Sequence, residues 1–149
     1  MSPLIVVGDS HARALILGAT SLGYEVTSLA TSASAWRDGE IALQASGKLT
    51  STRFRARQKI AEFNAAAGSE NPLHSGTPVI ASLGFHVSHF ISEFRWHKLG
   101  SYLSDDKGGD RQGLLSARFT RAYLSEQRGD VIKSLSKIAA NTPLVVVVP

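Results

Sequence analysis

Three short apolar segments constrain this chain more than any other feature of its sequence. Residues 3–7, 79–83 and 144–148 are rich in β-branched side chains and lack the polar–apolar alternation of half-buried strands. Such segments are typical of strands buried on both faces, as in a parallel sheet covered by helices. Because helical patterns separate them, the sequence predicts an α/β fold built on a parallel sheet.

The first strand is predicted to open a strand, helix, strand unit of about thirty residues, the size of a βαβ crossover. Residues 11–22 favour a helix because apolar side chains recur at helical spacing, and Gly23 supplies a C-terminal stop. Residues 24–29 then have the composition of a second strand. The predicted apolar stripe of the helix consists of Ala12, Leu15, Ile16 and Ala19.

The rest of the chain continues this alternation. Residues 46–48 are predicted to turn a short hairpin, and residues 53–67 to form a helix. Two prolines and a glycine predict a loop over residues 71–78, ahead of the next strand. Residues 112–140 show a long helical pattern, with a break at residues 129–130 as an alternative, and no internal repeat is visible.

Length and composition are those of a globular protein. At 149 residues the chain suits one domain, residues 1–149, and 43% hydrophobic against 19% charged residues argues against disorder. There is no cysteine, which excludes thiol nucleophiles, disulfides and cysteine-bearing zinc sites. No segment approaches the ~18 apolar residues of a spanning helix, and no signal peptide is visible at the start. We therefore expect a cytoplasmic protein that does not associate with membranes.

The positive charge is moderate and decides little alone. Sixteen Lys and Arg residues against twelve Asp and Glu give a net charge of +4, which tolerates a polyanion without requiring one. The basic run over residues 53–59 lacks interleaved aromatics and any nucleic-acid motif. Contact with phosphate groups is one interpretation of this run, but we favour a solvated helix face and expect no nucleic-acid partner.

The residues after the first strand are the main candidates for chemistry. Ligands of open parallel sheets bind where the carboxyl ends of the strands meet, and Gly8, Asp9, Ser10 and His11 follow the first strand. Gly8 allows a tight turn, and Ser10 at the helix start lies beside unpaired backbone N–H groups. Those are the needs of a serine nucleophile with an oxyanion site. Helix capping by Ser10 is the competing interpretation, and Asp9 is expected to brace the turn.

Residues 4–12 resemble the first conserved block of the GDSL/SGNH family of serine esterases and acyl-transfer enzymes. The variant is Gly-Asp-Ser-His, found in SGNH domains attached to polysaccharide acyltransferases. The resemblance implies that Ser10 is the nucleophile and that its backbone N–H contributes to the oxyanion hole. It also implies a three-layer α/β/α sandwich with a flavodoxin-like parallel sheet.

Two further blocks of that family bear on this chain. The family's third block is a strand followed by Gly-x-Asn, and here Gly84 and His86 follow the strand, with histidine in place of asparagine. An imidazole N–H can also donate to an oxyanion, so the resemblance assigns Gly84 and His86 to the oxyanion site. The last block, Asp-x-x-His, supplies the base and is absent from residues 1–149. In the family it follows the strand that residues 144–148 resemble, so we expect it past Pro149.

The last strand raises the same expectation independently. If the strand order is 2-1-3-4, residues 144–148 form a flat apolar edge, which folded proteins usually avoid. The alternatives are a chain truncated at its C-terminus or a partner, including a second copy, that covers this edge.

Two other functions stay open. Asp9 and His11 after a buried strand also resemble the opening metal-binding motif of calcineurin-like metallophosphoesterases, although that family's Gly-Asp-x-x-Asp-Arg motif is absent. The third possibility is a non-catalytic SGNH-like domain that binds a glycan or a protein. The favoured function is hydrolysis or transfer of an acyl ester by Ser10. Its expected substrate is a small-molecule or carbohydrate ester, with no metal or cofactor.

Overall fold

The computed structural model of the protein describes residues 1–83, 99–101, 113–115 and 117–147. The chain divides into two compact units. One comprises Met1–Phe85 with Asp130–Pro149, and the other comprises His86–Gly129. The single-domain organisation expected for residues 1–149 stays a prediction.

The elements follow the predicted alternation of strands and helices. The first half contains β1 (Pro3–Gly8), α1 (Ala12–Ser21), β2 (Glu25–Ala30), α2 (Ala33–Arg37), β3 (Ile41–Leu43), β4 (Leu49–Ser51) and α3 (Phe54–Ala67). A 3₁₀ turn (Pro72–His74) precedes β5 (Val79–Ser82), and the later elements are β6 (Leu99–Ser101), β7 (Gly113–Leu115), α4 (Ala117–Ala139) and β8 (Leu144–Val146).

The first unit is organised around a four-stranded parallel sheet of order β2-β1-β5-β8. Counting these four strands along the chain, the order is the expected 2-1-3-4. Gly8 at the end of β1 pairs with Ala30 of β2 and with Ser82 of β5. The carboxyl ends of these three strands therefore share one edge. The predicted α/β class with a parallel sheet is confirmed.

Helices cover both faces of β1, because its side chains alternate between two hydrophobic clusters. Leu4 and Val6 pack with α1, whose contacts come from the predicted stripe Ala12, Leu15, Ile16 and Ala19. Ile5 and Val7 belong to the larger cluster, which also contains buried side chains of α2, α3 and the β3–β4 hairpin. The strand is thus buried on both sides, as its lack of alternation predicts.

The C-terminal part of the first unit completes this larger cluster. Val131, Leu135 and Ile138 of α4 are buried in it. The Lys137 ammonium donates to the Leu43 carbonyl at 2.6 Å, which ties α4 to the hairpin. These contacts join residues far apart in sequence, so the core of the first unit combines side chains from both ends of the chain.

The second unit holds the structure's main correction to the sequence prediction. β6 and β7 pair in parallel, with Leu99 opposite Gly113. Residues 113–115 are therefore a strand, and the prediction of helix from residue 112 is wrong there. A three-residue apolar segment is compatible with both a helix and a strand. Only its pairing with β6 shows that it is a strand. The helix then runs unbroken through Gly129, where an added Cβ would meet nothing within 4 Å.

β8 lies at one edge of the parallel sheet. Its Val145 and Val146 are 59% and 39% exposed, so the predicted apolar edge is present in the described structure. In the part of the chain that the structure describes, no helix is long and apolar enough to span a bilayer.

We predict opposite effects from two glycine-to-alanine substitutions. In Gly8→Ala the new Cβ would lie 2.5 Å from the Ser82 carbonyl oxygen and 2.9 Å from the Ala12 Cβ, so the sheet edge must shift. We expect a loss of about 1–3 kcal/mol in the free energy of unfolding.

Gly18→Ala in α1 is the matched control, because nothing lies within 4 Å of its added Cβ. Alanine favours helix over glycine, so we expect a gain of roughly 0.5–1 kcal/mol. Urea unfolding of both variants checks the signs. Equal stability of Gly8→Ala and the wild type contradicts the close approach at Gly8.

Candidate active site

The candidate site is the turn between β1 and α1, and main-chain hydrogen bonds fix it to both neighbouring strands. The Asp9 N–H donates to the Ser82 carbonyl of β5 at 3.0 Å. On the other side, the Thr31 N–H donates to the Gly8 carbonyl at 2.9 Å. The turn therefore continues the sheet for one residue past the strand end before the chain enters the helix.

Asp9 braces this turn from inside. Its side chain is buried, with 1% of the residue exposed, and its Oδ1 accepts from the His11 N–H at 3.0 Å. The Asp9 carbonyl accepts from the Ala12 N–H at 3.1 Å. Carboxylate and carbonyl together satisfy two of the N–H groups at the helix start, which would otherwise lack partners.

Ser10 lies at the outside of the same turn and is exposed. Its hydroxyl and its backbone N–H have no hydrogen-bond partner among the described residues. The N-cap of α1 is His11, which makes no side-chain capping bond. Ser10 is therefore not a helix cap, and its hydroxyl and N–H both remain available to a ligand.

The strand order brings the second predicted segment to the same edge. Ser82 pairs with Gly8, and Leu83 follows it with 0% exposure. The chain therefore leaves β5 beside the turn that carries Ser10. Gly84 and His86, the predicted oxyanion residues, lie outside the described residues.

Residues after β2 also reach this edge, and the sequence analysis does not single them out. Thr31 and Ser32 follow β2 directly and line a cleft of about 630 Å³. Lys59 of α3 lines the same cleft, and its ammonium donates to the Ala30 carbonyl at 2.9 Å. Their position in the sequence could have indicated this, because Thr31 and Ser32 directly follow a predicted parallel strand.

The metal-binding interpretation rests on Asp9 and His11. One oxygen of the Asp9 carboxylate is engaged by the His11 N–H, and His11 itself is exposed. Within residues 1–83 and the other described ranges, no group of three or more His, Cys, Asp or Glu side chains could hold a metal ion.

Comparison of the chain with models of known protein families, with curated proteins and with solved structures found no match in any of the three. The class that the fold and the site define is an α/β protein with an exposed serine at the carboxyl edge of its sheet.

The bracing role of Asp9 makes a prediction about stability. Asp9→Ala removes the acceptor of the buried turn, so we expect a loss of about 1–3 kcal/mol in the free energy of unfolding. Asp9→Asn keeps an oxygen that can accept from the His11 N–H, so we expect a smaller loss. Thermal or urea unfolding followed by the fluorescence of the buried Trp36 measures both. Equal losses in the two variants would show that this hydrogen bond does not set the stability of the turn.

Proposed function

We propose that the protein is an SGNH/GDSL-type serine hydrolase or acyl-transfer domain that acts on an acyl ester through Ser10. The observation that carries this proposal is the geometry of one residue. Ser10 is exposed on a braced turn at the carboxyl edge of a parallel sheet, and neither its hydroxyl nor its N–H has a partner in the described structure. A nucleophile needs the free hydroxyl, and an oxyanion site needs the free N–H.

The proposed reaction begins with attack of the Ser10 oxygen on the ester carbonyl carbon. The hydroxyl proton passes to a general base, and the carbonyl oxygen becomes an oxyanion that accepts from the Ser10 N–H. Collapse of this intermediate releases the alcohol, which takes up the proton, and leaves an acyl-enzyme. Water or a sugar hydroxyl then attacks the acyl group and restores Ser10.

The proposal includes the features that the resemblance to the SGNH/GDSL family implies. They are a three-layer, flavodoxin-like sandwich, oxyanion roles for Gly84 and His86, and a base from an Asp-x-x-His block that residues 1–149 do not contain. The position of Leu83 next to the Ser10 turn supports a role for the residues that follow it. The expected substrate stays a small-molecule or carbohydrate ester, and the cytoplasmic location stays a prediction.

A reactive fluorophosphonate probe tests the proposal, because it labels only an activated serine. We expect labelling when the wild-type chain carries the Asp-x-x-His block that the proposal requires, and no labelling of Ser10→Ala in the same chain. We also expect turnover of 4-nitrophenyl acetate to fall to the background rate in Ser10→Ala, because removal of a serine nucleophile costs up to roughly 10⁶-fold in kcat. Ser28→Ala is the matched control, because Ser28 is also exposed and lies on the neighbouring strand β2.

The other outcomes identify the alternatives. Manganese-dependent phosphatase activity that disappears in Asp9→Asn and persists in Ser10→Ala would replace the esterase by a metallophosphoesterase. A chain that carries the Asp-x-x-His block, but neither reacts with the probe nor hydrolyses 4-nitrophenyl acetate or a phosphate ester, and that binds a glycan or a protein, is a non-catalytic binding domain.

A further inference from the structure

A cleft beside the candidate site gathers positive charge. It measures about 630 Å³ and lies between the residues that follow β2 and the first turns of α3. Thr31 and Ser32 form one side of it, and Arg53, Arg55 and Lys59 line it from α3 and the residue before it. Among the described residues that line it, Glu40 is the one with a carboxylate.

The three cations are not equivalent. Arg53 forms an ion pair with Glu40 at 3.4 Å, so its charge is partly neutralised. Lys59 donates to a neutral carbonyl, that of Ala30, and therefore keeps its full charge. Arg55 has no hydrogen-bond or ion-pair partner among the described residues. Two cationic groups in the cleft thus lack a carboxylate.

Without a bound anion, the two positive charges of Arg55 and Lys59 destabilise α3. Arg55 and Lys59 are four residues apart on α3, a spacing that places two like charges on one helix face. The first turn of α3 contains no acidic residue that would offset them. An anion in the cleft would remove this repulsion, because guanidinium and ammonium groups bind phosphate through charge-assisted hydrogen bonds.

The basic run of residues 53–59 is therefore divided between two surfaces. Arg57 lines a different cleft, which is formed by α3 and the β3–β4 hairpin together with residues 68–70. The charged side chains of the run are exposed, as the interpretation of a solvated helix face predicts, and they line two different clefts. This division also provides a control, because Arg57 lies on the same helix and carries the same charge.

One backbone hydrogen bond joins a residue of the charged cleft to the strand end before the Ser10 turn. Thr31, which lines the cleft, donates through its N–H to the Gly8 carbonyl at 2.9 Å, two residues before Ser10. The cleft and the Ser10 turn therefore follow two adjacent parallel strands, β2 and β1, which lie about 4.8 Å apart.

We propose that this cleft binds the phosphate group of the substrate. This assignment rests on the proposed function of Ser10. The substrate is then an ester that also carries a phosphate or phosphonate group. Arg55 and Lys59 bind the dianion, and Thr31 and Ser32 border it. A single carboxylate would leave one of the two cations unmatched, so a dianion fits the cleft better than a monoanion.

Inorganic phosphate is the first probe, titrated against the full ¹⁵N-labelled chain at constant ionic strength with acetate as the monoanion control. We expect phosphate to shift the amide signals of Thr31, Ser32 and Ala56, which line this cleft, and not that of Ala61, which lines the other. Arg55→Gln should weaken phosphate binding about tenfold, the effect of losing one charged hydrogen-bond partner.

Arg57→Gln is the matched control. It should change phosphate affinity by less than about twofold, because Arg57 lines the other cleft and only the loss of a charged contact costs about tenfold. Ser10→Ala should bind phosphate like the wild type. Equal weakening in Arg55→Gln and Arg57→Gln, a response to acetate as strong as to phosphate, or no shift at all would overturn the assignment of the cleft.

The second arm compares two 4-nitrophenyl esters with the same acyl chain, one ending in a free phosphonate and the other in its neutral dimethyl ester. We expect a higher kcat/KM for the phosphonate. Arg55→Gln should raise KM for the phosphonate about tenfold, whereas Arg57→Gln, which lines the other cleft, should leave the hydrolysis of both esters unchanged.

The two arms separate the two proposals. Hydrolysis of the neutral ester without any phosphate response overturns the cleft assignment and keeps Ser10 as the nucleophile. Phosphate binding that depends on Arg55, with no hydrolysis of either ester by a chain that carries the Asp-x-x-His block, overturns the esterase and its substrate and leaves an anion site.

Discussion

The close approach of three chain segments at Gly8 is the constraint on which the rest of the first unit depends. Gly8 pairs with Ala30 and Ser82 on its two sides, and a side chain at this position would overlap the Ser82 carbonyl. The absence of a Cβ lets β5 and the start of α1 lie against the same residue. The β1–α1 turn is therefore set by strand packing and not by the loop alone.

Because the turn is fixed in this way, the adjacent residues Asp9 and Ser10 have different roles. Asp9 is buried and uses its oxygens to satisfy the helix start, while Ser10 is exposed with an unengaged hydroxyl. Because Asp9 accepts the hydrogen bonds of the turn, Ser10 is held in place without using its own hydroxyl to bond the backbone. Such preorganisation is what an acyl-transfer site requires, because the donors must already be aimed when charge develops.

Local signals explain what could be predicted from the sequence. Strands β1, β5 and β8 have apolar runs that no amphipathic helix would show, and the stripe of α1 repeats at helical spacing, so both could be recognised without tertiary information. The turn after β1 could be placed at the sheet edge because parallel strands gather their carboxyl ends.

What could not be predicted depends on distant partners. Strand β7 has three residues, and its pairing with β6 is invisible to a local pattern. The division of the basic run is a similar case, because the hairpin decides which side of α3 becomes which cleft. Thr31 and Ser32 gain their significance only from the cleft they share with Lys59. Neighbouring residues on one helix thus acquire different environments from elements elsewhere in the chain.

The contact between Lys137 and the β3–β4 hairpin has a consequence for how the protein is made. The ammonium of Lys137 meets the Leu43 carbonyl across 94 positions of sequence, and the same helix contributes Val131 and Ile138 to the core beneath the hairpin. A ribosome delivers the hairpin long before it delivers this helix. During synthesis the early βαβ unit and α3 can pack with the hairpin, whereas the part of the core that Val131 and Ile138 cover stays exposed until α4 emerges.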